Sequence, residues 1–454
     1  MSNIAAVRKF EISPDNQSSS NQSWSPQNGN PIITFTIANS EMWLRASKLK
    51  MCFDVELFVP AVGADVPPTA GQCQLNDRIG VAGLFQQLEI NNLTLNQNLE
   101  TIRNFGRLQS SLISNSSGWD DYTTYLSNEF CSSANVAVNN RYCGAKMSCA
   151  MPIMAGLFMG NNGNIPLSND NGVGGIFMKF SLQPSLQALF GTSVAAGAYY
   201  KISNVSLMGE YAMPRGGKLP NLDSYEFSAF SSFYSVINNN DVMTQLNPAL
   251  SAIVTSFSNF VPTTWISAGT EDGYKTTPLL NTTIATGVYD QLAPITRLSF
   301  LRSGILYPLQ AGIDESRMVT TDGGVGNVYG NSKFQSLRQY YYSMSIRPKT
   351  SPQEDTIAGQ NSEGLPFANN DIQHNTVSTT QAFPESGTYS NAYGVGIRVG
   401  DMLGMGNSVN FKSAPFGIRL QSKLNGYSPM SMYTFFMYRS RINYGQNGIV
   451  QIIN

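Results

Sequence analysis

His374 is the single histidine of the chain, set in the polar stretch "NNDIQHNTVSTT". One imidazole excludes a multi-histidine metal site, and any Ser-His or Cys-His dyad would have to use this residue. A solvated loop side chain is the plainer reading. Paired carboxylates can hydrolyse glycosides on a β scaffold. The pairs available, Asp120/Asp121 and Glu354/Asp355, stand beside Gly, Ser and Pro, where solvation is the default. "GVGIRVG" at Gly394 misses the dinucleotide-binding spacing by one residue and follows a loop, so its glycines serve turns or close strand packing. There is no nucleophile elbow and no phosphate-cradling loop. Cys143 and Cys149 are too far apart for a zinc knuckle. "QYYYSM" (Gln339–Met344) could stack a sugar, but Tyr in a strand more often divides between core and sheet surface. The sequence therefore offers no catalytic residue, no cofactor-binding residue and no metal site. It reads as a protein that is not an enzyme.

Composition points the same way. Of 454 residues, 42% are hydrophobic, enough for a sizeable core, but only 13% are charged, about half the ~25% usual for soluble proteins. Asn, Gln, Ser, Thr and Gly fill the gap. A surface of amides and hydroxyls loses little charge hydration when it is buried against a copy of itself. The 28 basic and 29 acidic residues balance to −1, and no block of Lys or Arg exists to track phosphates. Direct nucleic-acid binding is not expected. Cys52, Cys73, Cys131, Cys143 and Cys149 are odd in number. With no apolar core in "MSNIAAVRKFEISPD", they read as free thiols in a reducing compartment. The sequons at Asn92 and Asn204 then read as unused. The longest apolar run, "CAMPIMAGLFMG", is shorter than the ~20 residues that span a bilayer.

The elements are mostly strands. In "ITFTIANSEMWLRASKLKMCFDVELFVP", Ile33, Phe35 and Ile37 alternate with Thr34 and Thr36. Alternation then resumes with Met51, Phe53, Val55 and Leu57, the period of half-buried β-strands. Similar runs recur to the C-terminus between Gly, Pro and Asn clusters. This places the chain in the all-β sandwich or barrel class. Helical spacing is confined to Leu99–Ile113, "SLQALFG" and an ambiguous run around Pro248. Residues 1–30 are Ser/Asn/Gln-rich and read as a flexible arm that orders against a partner, with Trp24 either anchored in a neighbour's pocket or packed on its own domain.

A repeat underlies the rest. Phe180, Leu182, Gln183 and Leu186 match Ile418, Leu420, Gln421 and Leu424 at a constant offset (418 − 180 = 238), and an aromatic-rich strand follows each copy. "FGRLQSSLI" at Phe105 and "FQSLRQYYY" at Phe334 form a second pair. The copies flank the break "PRGGKLPNLDS". One β domain occurs twice, and the expected division is a first domain over 31–213, a linker over 214–224 and a second domain over 225–454.

The "ITFTI" strand, the "WLR-x-S-x-L" link into a long alternating strand, and "GLFQQLEINNLTLNQN", with Leu84, Phe85, Leu88, Ile90 and Asn92, are similar to the first barrel of double jelly-roll major capsid proteins. That family includes shells of adenoviruses, tailless membrane-containing phages, virophages, polinton-like viruses and large nucleocytoplasmic DNA viruses. The ending "MYTFFMYRSRINYGQNGIVQII" resembles the last strands of the second barrel, with a hydrophobic tail at Gly448–Ile453. The resemblance covers the chain through order and spacing. It implies two fused eight-stranded jelly rolls with few short helices and long surface loops. It further implies a homotrimer of pseudo-hexagonal outline that tiles an icosahedral shell with neighbouring capsomers. The partners implied are penton and minor capsid proteins and an internal membrane, with assembly in the host cell interior. It also places a tower loop at Lys349–Asn391 over the second barrel, with a shorter counterpart at Met159–Gly175. A receptor- or carbohydrate-binding β-sandwich of fibre or lectin type is the competing reading, equally poor in histidine and rich in Asn, Gly and Tyr.

Overall fold

A computed structural model of the chain describes residues 4–27, 29–69, 72–75, 79–116, 146–159, 164–189, 194–214, 223–239, 241–263, 295–307, 319–320, 328–329, 394–402, 408–422, 429–445 and 448–454. His374, the Lys349–Asn391 segment, Gln339–Met344, the two acidic pairs, Cys131 and Cys143 lie outside them.

The alternation seen in the sequence becomes two facing sheets. The first unit contains β1 (Ile4–Ile12), β2 (Ser23–Trp24), β3 (Ile32–Ile37), β4 (Trp43–Arg45), β5 (Lys50–Phe58), β6 (Phe85–Asn92) and β7 (Asn98–Ile102). It continues through helix α1 (Phe105–Ser116), β8 (Met147–Pro152), β9 (Asn164–Pro166), β10 (Ile176–Leu182) and β11 (Tyr199–Pro214). In one sheet β8, β5, β11 and β1 lie side by side, each pair antiparallel. In the other the order is β3, β10, β6, β7, again antiparallel. Ile33, Phe35, Ile37, Met178, Phe180 and Ile90 from one sheet, and Met51, Phe53, Val55 and Leu57 from the other, are buried. Phe85 ties the layers together, edge-on to both Phe53 (5.8 Å) and Phe180 (5.6 Å).

The second unit repeats this plan. It comprises β12 (Ser224–Ile237), β13 (Asp241–Leu246), β14 (Ile253–Pro262), β15 (Ile295–Arg302), β16 (Ile305–Tyr307), the short ribbon β17 (Val319–Thr320) and β18 (Val328–Tyr329), β19 (Gly394–Arg398), β20 (Phe416–Ser422), β21 (Met430–Gly445) and β22 (Gly448–Ile453). One sheet runs β19, β14, β21, β12 and the other β13, β20, β15, β16. Taken in chain order, β12, β13, β14, β15, β16, β19, β20 and β21 stand where β1, β3, β5, β6, β7, β8, β10 and β11 stand in the first unit. The sequence repeat joins β10 to β20, which are topological equivalents.

Two expectations are corrected. The leader at 1–30 is not a loose arm where it is described. β11 is 16 residues long and offers a long edge, and β1 pairs with it from Leu207 to Pro214. Phe10 stacks on Tyr211 at 4.2 Å, over a glycine (Gly209) that leaves room for its ring, and Trp24 is wholly buried. The strand escaped pattern reading because Ala6 to Lys9 are exposed on both faces, so no period of two is written there. Leu99–Ile113 is likewise not one helix. Its first residues are β7, and α1 begins at Phe105.

Candidate functional site

The joint between the two units holds a cluster of buried polar groups. β7 of the first unit lies beside β12 of the second, in parallel, with Thr101 opposite Ser231. This contact fuses strands of both units into one sheet running β19, β14, β21, β12, β7, β6, β10, β3.

Glu100, the neighbour of Thr101, is fully buried at this joint. Its carboxylate accepts the backbone N–H of Gly156 (2.8 Å) and Leu157 (2.9 Å), from the turn after β8, and that of Phe230 (2.7 Å) in β12. Burial pushes its carboxyl up to about 7, against the pull of those three donors, which favour the charged form. Gly156 has to be glycine, since a Cβ there would sit 2.6 Å from the Ala229 Cα. Around this centre the Arg103 N–H donates to the Ser232 hydroxyl (2.9 Å), and the Asn259 amide donates to the Ser111 hydroxyl. The Arg107 guanidinium lies 5.0 Å over the Tyr433 ring. The Tyr444 hydroxyl donates to the Gly172 carbonyl at 2.9 Å. These contacts tie α1, β7 and the loops of the first unit to β12, β14 and β21 of the second.

The Glu100 oxygens are spent on backbone donors. A cavity of about 460 Å³ beside it is walled by Thr101, Arg103, Asn104 and Ser231–Tyr234, which supply hydroxyls, one guanidinium, one carboxamide and two aromatic rings but neither carboxylate nor imidazole. Among the described residues no three His, Cys, Asp or Glu side chains converge as a metal site. Cys52 and Cys73 are free thiols, and the Cys149 thiol donates to the Phe53 carbonyl at 3.4 Å. Burial raises the first and lifts Cys73 to about 12, so neither is a ready nucleophile. Both sequon asparagines are committed. Asn92 is buried and bonds the Val173 carbonyl, while the Asn204 amide donates to Asp54 at 2.6 Å. No helix among the described residues is long and apolar enough to cross a membrane.

The sequence reading passed over Glu100. The acid between Leu99 and Ile102 carries no local sign of its burial, because its partners are backbone groups far along the chain.

No known family profile and no curated protein matches the chain. Solved structures do. The Faustovirus major capsid protein aligns over 97% of this chain and 90% of its own, with a TM-score of 0.55 and 9% identity. The Sputnik virophage structure aligns over 99% and 89%, with a TM-score of 0.54 and 10% identity. VP54 of PBCV-1, fitted into a reconstruction of Sputnik, aligns over 98% and 96%, with a TM-score of 0.52 and 12% identity. The likeness spans both units at once, in one chain. The chain is a double jelly roll. Its 16-residue β11 and β21 are the equivalent strands that close the two barrels, and the Glu100 joint locks one barrel to the other.

Proposed function

We propose that this double jelly roll is a viral major capsid protein whose three copies form a pseudo-hexagonal capsomer of an icosahedral shell. The observation that carries the reading is the repeat of one barrel topology along the chain, with the two copies in contact through β7 and β12. Two equivalent barrels per chain give six around a threefold axis, an outline that tiles a flat facet. The matched structures include a protein named as a major capsid protein and a virophage particle. The low charge of the chain fits a surface largely covered by neighbours. The same reading gives this chain a structural and not an enzymatic role, a location in the virion, and assembly inside the host cell. Neighbouring capsomers, penton and minor capsid proteins, and an internal membrane are its proposed surroundings. A fibre or lectin would need one sandwich with an open binding face. It gives no reason for a second barrel of the same topology locked on by a buried carboxylate.

The test is the assembly itself. Light scattering of the purified chain should return three times 49.5 kDa, and negative-stain images should show six-lobed particles. A monodisperse monomer at micromolar concentration that binds glycans on an array would favour the lectin reading instead.

A further inference from the structure

The contact inside the chain is a template for a contact between chains. Strand register carries Glu100 across the first barrel to Ile90 and then to Met178. The same walk in the second barrel leads from Ile305 to Arg302 and then to Phe416. Phe416 and Met178 are separated by the repeat offset (416 − 178 = 238), so Ile305 occupies in the second barrel the place that Glu100 occupies in the first. Their environments are opposite. Glu100 is 0% exposed because β12 covers it, whereas Ile305, an apolar side chain, is 55% exposed. Among the described residues β16 pairs only with β15, so its outer edge carries no strand. β12, the strand that covers Glu100, has β1 as its equivalent in the first barrel. β1 likewise has no strand beyond it among the described residues, and it exposes Val7 at 48%. Each unit thus presents half of the joint that β7 and β12 complete within the chain: β1 of the first and β16 of the second.

We infer that the free edge of β16 in one copy docks on β1 of a second copy, with Ile305 covered as Glu100 is covered within the chain. The inference rests on the capsomer reading and gives it an address. The contact is head-to-tail, because the two surfaces are different strands, and three repeats of it close a ring in which six barrel joints alternate between contacts within a chain and contacts between chains. It also accounts for the unprotected edges. Bare strand edges with apolar side chains are liabilities that soluble proteins cover. The intermolecular joint lacks the carboxylate of the intramolecular one, so apolar burial takes the place of the Glu100 hydrogen bonds.

The experiment uses two full-length variants, Ile305→Lys and Val7→Lys. Both positions are exposed in the single chain, so each variant should keep the circular dichroism and melting profile of the parent. Each should run as a monomer by mass photometry where the parent runs as a trimer. Mixed together, they should form a dimer of twice 49.5 kDa and nothing larger, because the intact β1 of one meets the intact β16 of the other and the second joint is broken. Val62→Lys, at a fully exposed loop position, should remain trimeric. If the parent is trimeric and either of the first two variants stays trimeric, or the mixture stays monomeric, the inference is overturned and the capsomer reading survives. A monomeric parent would overturn both.

Discussion

Glu100 shows what one buried residue does to the molecule. Three backbone donors from two barrels converge on it, and removing the acceptor would strand all three away from water. Glu100→Ala should therefore cost roughly 3–5 kcal/mol, the range for an uncompensated buried polar centre, read as a fall in the urea midpoint. The pH dependence has a definite sign. Burial raises the folded carboxyl from its ordinary 4.5 to about 7, so the folded chain holds this proton more tightly than the unfolded chain. Between those values the folded group is protonated and the unfolded one ionised, so stability falls as pH rises. The contribution is complete below 4.5 and gone above about 7, and at 1.36 kcal/mol per unit it amounts to about 3 kcal/mol. The urea midpoint of the parent should decline across that window, and Glu100→Gln should remove the decline. A parent midpoint that climbs with pH there would mean that the three N–H donors outweigh burial. None of this was legible in the sequence. An isolated acid gives no sign of which backbone will surround it, because its partners lie 56 and 130 residues away.

At the level of elements, legibility followed burial. β3, β5, β6 and β10 each bury alternate residues against the facing sheet, so the period of two is written in their side chains. β1 is held chiefly by its backbone ladder to β11 and by Phe10 on Tyr211, and a ladder leaves no pattern of side chains. β7 was hidden for another reason. Its five residues run almost directly into the 12-residue α1, so the helical spacing of α1 extends back over the strand. The leader therefore has two functions that truncation should separate. Deleting residues 1–12 removes β1 but not Trp24, so the first barrel should stay folded while trimers are lost. Deleting residues 1–30 also removes a fully buried Trp24 and should cost about 3–5 kcal/mol, as for large aromatic-to-Ala changes. Equal melting temperatures for the two truncations would show that the space left by Trp24 closes without penalty.

For the whole molecule, the repeat assigns the long insertions as well as the strands. In the first barrel the chain passes from β7 to β8 through 103–146, and in the second from β16 to β19 through 308–393. These are equivalent connections, joining equivalent strands at the same end of each barrel. Lys349–Asn391 falls within the second. Its counterpart is accordingly the 103–146 connection and not Met159–Gly175, which joins β8 to β10 and returns a strand, β9, to pair with β4. Segments of this length inside compact domains usually serve a surface role, and Lys349–Asn391 is rich in Ser, Thr, Asn and Gly, with only Phe367 and Phe383 as aromatic anchors besides Tyr389. In a six-barrel ring these connections would stand at one end of the capsomer, higher over the second barrel than over the first. A protease under native conditions should cut first within 349–391, and the nicked protein should still scatter as a trimer, because the proposed contact uses β1 and β16. An epitope tag placed there should bind antibody on intact particles as well as on free trimers. A tag readable on trimers but hidden in shells would assign the segment to contacts between capsomers and remove it from the outer surface.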